Sequence, residues 1–126
     1  MIEIPNEQGG IHIAITVLEA ILGLMFLMSG LMKLVGKQSV EMFKHYQYPQ
    51  WFRVVAGIVE ILGGAAMVAG IWSPAFAAWA GLWLGITMLG AIFTHIRVKD
   101  PAKGSMPALI LLVLLFLVVL SQGHAL

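Results

Sequence analysis

The sequence contains no cysteine and little charge, and each absence excludes a class of function. Without cysteine, the chain can form no disulfide bridge and no thiolate metal site, and it cannot carry out thiol–disulfide exchange. Only 10% of its residues are charged and the net charge is +1, which argues against nucleic acid as a partner, because that role needs a concentrated basic face. The histidines show no paired arrangement typical of haem ligation, and we expect no metal site.

Hydrophobic residues, in contrast, make up 60% of the 126 residues, and the mean hydropathy of +0.96 is far above that of soluble proteins. Four apolar stretches stand out, at residues 11–35, 51–70, 74–96 and 106–121. Because a helix satisfies its own backbone in lipid, we predict an all-α fold, a four-helix transmembrane bundle forming one domain over residues 1–126. The last stretch is about 24 Å long at ~1.5 Å per residue, so it must use its flanks to cross a ~30 Å hydrocarbon core.

The basic residues predict an orientation for this bundle. All seven Lys and Arg residues lie in or beside the first and third connections. The positive-inside rule then places both of these loops in the cytoplasm and both termini outside, and we expect the plasma membrane of a bacterium. The first ten residues contain Glu3 and Glu7 but no Lys or Arg, which is unlike the start of a signal peptide, so we interpret the first stretch as a true span.

The first basic loop predicts a short helix at the membrane interface. Val40, Phe43 and Tyr46 recur at helical spacing and alternate with polar residues, as in an amphipathic interfacial helix. The pair Tyr48 and Pro49 should end it. The turn between the second and third spans is very short, so these two spans should be antiparallel neighbours.

Ionisable residues within the spans are the candidates for function, because such groups are costly in lipid. Glu60 lies near the middle of the second span and His95 near the inner end of the third, and we predict that these two handle protons. A polar interior should form around them, contributed by one face of the first helix and one face of the second. The residues of that interior are Glu19, Gly30, Lys33, Arg53, Gly57 and Gly64.

A structural alternative stands beside this functional hypothesis. Glu19 and Glu60 could pair with hydroxyl or basic partners, for example Ser29 or Thr87, and merely fix the helix register. His95 could be an interface histidine that reaches water, and the charge state of Glu60 stays open.

The remaining histidines, and the tryptophans of the third span, receive no catalytic role. His12, His45 and His124 lie outside the apolar core. The fourth helix has no polar residue before Ser121, so we interpret it as scaffold. Trp79 and Trp83 share one helix face, and packing or contact with lipid explains them better than ligand binding.

Three segments resemble the DoxX-like family of small four-helix membrane proteins, namely LGLMFLMSGLMKLVG, YPQWFRVVAGIVEILGGAAMVAGIWSP and LGAIFTHIRVKDP. The family pattern of Gly-x-x-Lys-Leu, Gly-x-x-Glu and a late His corresponds here to residues 30–34, residues 57–60 and His95. Many members carry Arg four residues before the first glycine of helix one, where this chain has Glu19. The resemblance implies a four-helix fold and an association with quinone-linked oxidation, oxidoreductase complexes or receptor assembly.

Three functions fit these observations, and we rank them in this order. The first is a membrane subunit or small enzyme in quinone-linked redox chemistry, with electrons from a partner or a diffusible cofactor such as a quinone. The second is a non-catalytic binding or assembly module whose basic loops contact a partner protein or anionic lipid. The third is a small proton-coupled transporter. Whether the chain is an enzyme stays undecided, and Gly81 and Gly85 could pack inside the bundle or form the seam of a homo-oligomer.

Overall fold

The computed structural model describes the backbone of residues 7–126 and the side chains from residue 10 onward. The signal-peptide argument rests on Glu3 and the side chain of Glu7, which lie outside the described residues. Within residues 7–126, five α-helices follow one another and are followed by a short 3-10 turn. They are α1 (Glu7–Val35), α2 (Lys37–His45), α3 (Gln50–Ala69), α4 (Pro74–Arg97), α5 (Ala102–Gln122) and the turn Gly123–Ala125.

Four of these helices are long and apolar enough to cross a membrane, and they confirm the predicted all-α bundle. The stretches that qualify are Gly10–Val35, Gln50–Ala69, Pro74–Arg97 and Ala102–Ala125. Their outward faces expose large apolar side chains, such as Ile86 at 70% and Phe116 at 59% exposure. A surface of this kind is stable only in contact with lipid, and the chain is an integral membrane protein.

Helix α5 begins earlier than the predicted fourth span, at Ala102 instead of residue 106. Pro101 precedes it in an extended conformation, and Pro107 lies inside the helix. Pro107 removes one backbone hydrogen bond near the start of α5, and the helix continues through it to Gln122. At ~1.5 Å per residue the 21 residues of α5 span about 31 Å, which confirms that the last span uses its N-terminal flank.

Helices α1 and α3 pack closely through glycines on both sides. A Cβ on Gly30 would lie 2.6 Å from the carbonyl oxygen of Gly57, and a Cβ on Gly64 would lie 2.8 Å from the carbonyl oxygen of Gly23. Only glycine permits such close approach of two backbones. The helix faces that carry Gly30, Gly57 and Gly64 therefore face each other.

Helix α4 packs between α3 and α5, and its small residues are used inside the chain. A Cβ on Gly81 would lie 2.6 Å from Val119 of α5, and Gly85 faces Leu112 at 3.8 Å. Gly70, at the end of α3, lies equally close to Ala77 at the start of α4, as expected for antiparallel neighbours joined by a short turn. Of the two alternatives for Gly81 and Gly85, the structure shows packing within the bundle.

Helix α2 confirms the short amphipathic helix predicted in the first loop. Its Phe43 is buried and stacks obliquely against Phe52 of α3. Two residues beyond the ends of α2 and α4, the chain adopts the left-handed conformation, at Gln47 and Lys99 respectively. In each case the next amide bonds back five residues, Tyr48 N to Phe43 O at 3.1 Å and Asp100 N to His95 O at 2.9 Å, as in a Schellman cap.

Candidate functional site

The carboxylate of Glu60 is buried between α1 and α3 and is fully engaged by α1. Ser29 donates its hydroxyl to Oε1 at 2.6 Å, and the Lys33 ammonium lies 2.8 Å from Oε2 and 3.0 Å from Oε1. The side chain of Glu60 is 4% exposed and that of Lys33 is 22% exposed. Ser29 and Lys33 stand one turn apart, so α1 presents both donors to the same carboxylate. We call these three residues the mid-span cluster.

The contact between Ser29 and Glu60 agrees with the structural alternative, which suggested Ser29 or Thr87 as a hydroxyl partner. Thr87 does not take that role. Thr87 donates its hydroxyl to the carbonyl of Trp83 on its own helix, at 2.9 Å. Removing one member of a buried ion pair leaves an unpaired charge that is strongly destabilising. The ion pair therefore holds α1 and α3 in one register.

Arg53 lies on the predicted face of α3 but does not contact Glu60. Its guanidinium donates to the carbonyl oxygens of Lys33 and Leu34, and its Nε donates to Gln50 at 2.7 Å. These carbonyls belong to the last turn of α1, which has no helical partners for them. A cation at this position also interacts favourably with the helix dipole. Arg53 thus caps α1, and its place in a polar interior around Glu60 is corrected accordingly.

At the end of the bundle where α2 meets the link between α4 and α5, which we call the loop end, two histidines share one carboxylate. His95 Nδ1 lies 2.6 Å from Asp100 Oδ2, and His45 Nε2 lies 2.6 Å from Asp100 Oδ1. We call these three residues the histidine–aspartate cluster. The hydrogen bonds from His45 and then from His95 lower the pKa of Asp100 below its ordinary value.

Aromatic residues enclose this cluster on the bundle side. Tyr46 is 8% exposed and packs edge-on against the His95 ring, with centroids 5.5 Å apart. Burial, and secondarily the charge of Asp100, raises the pKa of the Tyr46 hydroxyl. Tyr48 bonds to Thr94 at 2.9 Å and carries the Arg97 guanidinium 4.7 Å above its ring. The cluster is therefore shielded on one side, while His45 remains 56% exposed to solvent.

The opposite end, where α1 begins and α5 ends, is the terminal end. There Glu19 is 2% exposed, and its Oε1 accepts a hydrogen bond from Gln122 Nε2 at 3.3 Å. No ion pair involves Glu19 among the described residues. Gln122 is the last residue of α5 and lies one residue beyond the predicted fourth span, which we interpret as scaffold.

The structure thus places the predicted residues in three separate clusters instead of one polar interior. Glu60 and Lys33 are together; Glu19 is at the terminal end; His95 is at the loop end. His45, to which the sequence analysis gives no role, contacts Asp100 in the histidine–aspartate cluster. Asp100 and Gln122 are not among the predicted site residues. Within residues 10–126, no group of three His, Asp or Glu side chains could hold a metal ion.

The profile of the DoxX-like family matches residues 17–118. The chain belongs to the DoxX-like family. The matched range contains the mid-span cluster and the histidine–aspartate cluster and stops before Gln122. A relative in Bacillus subtilis (strain 168), the uncharacterized protein YdgD, is 39% identical over 85 residues, which cover 67% of this chain and 75% of the relative. No solved structure matches this DoxX-like chain.

Proposed function

We propose that this DoxX-like protein is a membrane subunit of a quinone-linked redox assembly, in which a partner protein supplies the redox centre. The observation that carries the proposal is an apolar groove of about 310 Å³ between α3 and α4. It faces the lipid, and its floor is made of small residues while its rim is aromatic. The lining residues are Leu62, Gly63, Ala66, Phe76, Trp79, Ala80 and Trp83.

The groove suits the apolar ring faces and tail of a quinone. Trp79 is 62% exposed and Trp83 is 48% exposed, and flat indole surfaces pair favourably with another flat ring. The indole N–H of Trp83 already donates to the Val59 carbonyl at 2.9 Å. The groove therefore supports binding of the apolar part of the molecule, and the hydrogen bonds to the quinone oxygens fall to the partner.

Proton handling fits the loop end better than the middle of the bundle. The carboxylate of Glu60 is occupied by Ser29 and Lys33, whereas His45, Asp100 and His95 form a hydrogen-bonded series from solvent to the bundle. Along α4, Trp83 and His95 are 12 residues apart, or about 18 Å at ~1.5 Å per residue. In this proposal, His95 exchanges protons with a partner docked at the loop end, and Glu60 fixes the scaffold.

The orientation in the membrane is part of the same proposal. Every Lys and Arg of the sequence lies at or near the loop end. The positive-inside rule favours the cytoplasmic side for that end and the outer side for both termini, in a bacterial plasma membrane. The exposed lysines at this end suit a partner protein or anionic lipid headgroups.

Quinone binding can be tested with purified protein in lipid nanodiscs that contain menaquinone. We expect the protein to bind the quinone and to show saturable quenching of its tryptophan fluorescence. Trp79→Leu should weaken binding about two- to tenfold, since an aromatic pair contributes roughly 0.5–1.5 kcal/mol. Trp72→Leu is the matched control, because Trp72 is 79% exposed and lies outside the groove. Equal binding by both variants and the native protein would exclude the groove.

The second candidate is a non-catalytic binding or assembly module, and the complete pairing of Glu60 favours it. Among the described residues, every solvent-inaccessible polar side-chain atom has a hydrogen-bond partner. This is expected for polar groups that fix helix packing. Native mass spectrometry of the native protein and Glu60→Gln separates the two candidates. Quinone that stays bound in both supports the redox subunit, whereas a bound protein or lipid alone supports the assembly module.

A further inference from the structure

The terminal end contains a small pocket above the buried carboxylate of Glu19. The pocket has a volume of about 220 Å³ and lies between the start of α1 and the end of α5. Two isoleucines form apolar walls, and the other lining residues are polar. The lining residues are Ile11, His12, Ile15, Ser121, Gln122 and His124.

Glu19 lies directly below this pocket. His12, Ile15 and Glu19 are spaced three and four residues apart, which places them on one face of α1 with Glu19 deepest. Gln122 lines the pocket and is also the hydrogen-bond partner of Glu19. The pocket and the carboxylate are therefore separated by the amide side chain of Gln122.

Among the described residues, the carboxylate of Glu19 accepts a single, long hydrogen bond. Its one hydrogen bond, at 3.3 Å, is longer than the usual 2.7–3.2 Å. Its Oε2 atom has no hydrogen-bond partner among the described residues. By contrast, every solvent-inaccessible polar side-chain atom in that part of the chain has a hydrogen-bond partner. Within the described residues, Oε2 is thus available to accept a further hydrogen bond.

No Lys or Arg side chain lies near this carboxylate. The seven Lys and Arg residues all belong to the two loop-end connections and the helix ends beside them. Two histidines, His12 and His124, line the described part of the pocket. Both are exposed, and among the described residues neither makes an ion pair with Glu19. Glu60 shows the contrast, because α1 supplies it with Lys33. The ionised form of a buried carboxylate is stabilised when a cation enters beside it.

We infer that the terminal pocket binds a small organic cation, a protonated amine attached to a short apolar group. The ammonium donates to Glu19 and to the amide oxygen of Gln122, which turns aside, and the apolar group lies against Ile11 and Ile15. Pockets for drug-sized ligands occupy about 300–1,000 Å³, so this ligand is limited to a single ring or a short chain. The site is independent of the quinone groove, which lies between α3 and α4.

The test compares benzylammonium with benzyl alcohol, a neutral ligand of similar shape, by equilibrium dialysis of labelled ligand against protein in zwitterionic nanodiscs. Binding to empty nanodiscs is subtracted. We expect the native protein to prefer the amine and Glu19→Gln to lose that preference, with amine binding weakened about tenfold or more and alcohol binding unchanged. Glu41→Gln, an exposed carboxylate at the loop end, is the control and should bind like the native protein.

Ile11→Trp provides a second variant that leaves the buried contacts of Glu19 in place. Ile11 is 62% exposed, so an indole there should fill the pocket without disturbing the bundle, and it should weaken binding of both ligands. The inference is overturned if Glu19→Gln binds the amine as tightly as the native protein does. If Glu19→Gln binds neither ligand, Ile11→Trp decides: unchanged amine binding in that variant overturns the site, and its loss supports it.

Discussion

Replacing Lys33 by methionine should destabilise the bundle more than replacing its partner Glu60 by leucine. Lys33→Met leaves a carboxylate that is 4% exposed, with only Ser29 as a partner among the described residues. Glu60→Leu leaves an ammonium on a long side chain that is already 22% exposed near the end of α1. Such a side chain can extend to water. The two halves of one ion pair therefore have unequal consequences.

The structure sets limits on the size of this effect. Lys33 makes two close contacts with the carboxylate, at 2.8 and 3.0 Å, and a hydrogen bond to a charged group contributes roughly 1.5–3 kcal/mol. We expect Lys33→Met to lower the free energy of unfolding by about 2–4 kcal/mol and Glu60→Leu by about 1–2 kcal/mol.

The double variant Lys33→Met/Glu60→Leu should recover most of the loss, to within about 1 kcal/mol of the native protein. The assay is reversible unfolding in mixed micelles titrated with dodecyl sulfate, followed by circular dichroism. Glu41→Gln is the control, since its pair with Lys44 is exposed and 3.4 Å long and should be worth no more than ~0.5 kcal/mol. If the double variant loses more unfolding free energy than the two single variants lose together, the proposed role of this pair is refuted.

Three further predictions use the same unfolding assay. Gly30→Ala should cost about 1–3 kcal/mol because its Cβ would meet backbone atoms of α3, whereas Gly90→Ala, with no atom within 4 Å of the added Cβ, should be neutral or stabilise by up to ~1 kcal/mol. Arg53→Met should cost about 1–3 kcal/mol by freeing the last carbonyls of α1. Because the folded-state pKa of Asp100 is lowered, its contribution to stability is complete above its ordinary value of 3.8 and is lost as pH falls through the lowered pKa. Asp100→Asn should remove this part of the acid dependence, and an unchanged acid profile would contradict the hydrogen-bonding argument.

The spans and the close helix pair could be predicted because their signals are local. Apolar runs of sufficient length define helices in lipid, and glycines at helical spacing mark the faces that approach each other. The early start of α5 was missed because Lys103, Gly104 and Pro107 resemble a loop in composition. In the structure, Pro101 sets the start, and Pro107 lies close enough to it to be tolerated.

The histidine–aspartate cluster could not be predicted, because its members meet only through the tertiary fold. His45 and Asp100 are 55 positions apart, and their contact requires both connections to reverse at the same end. The left-handed residues that produce these reversals are Gln47 and Lys99, neither of which is the usual glycine. The sequence Asp100-Pro101 predicts a helix end, but nothing local indicates that the carboxylate turns back to His95.

Polar contacts add specificity to the packing of several elements of this bundle. Apolar side chains pack against lipid about as readily as against each other, so burial alone gives little preference for one helix pairing in a membrane. Each cluster joins a different pair of elements: Glu60 joins α1 to α3, Gln122 joins α5 to α1, and His45 joins α2 to the link after α4. Because these clusters share no residue, substitutions in two of them should add in their effects on stability. Coupling between the mid-span and histidine–aspartate clusters in a double-mutant cycle would instead indicate that α1 and α4 move together.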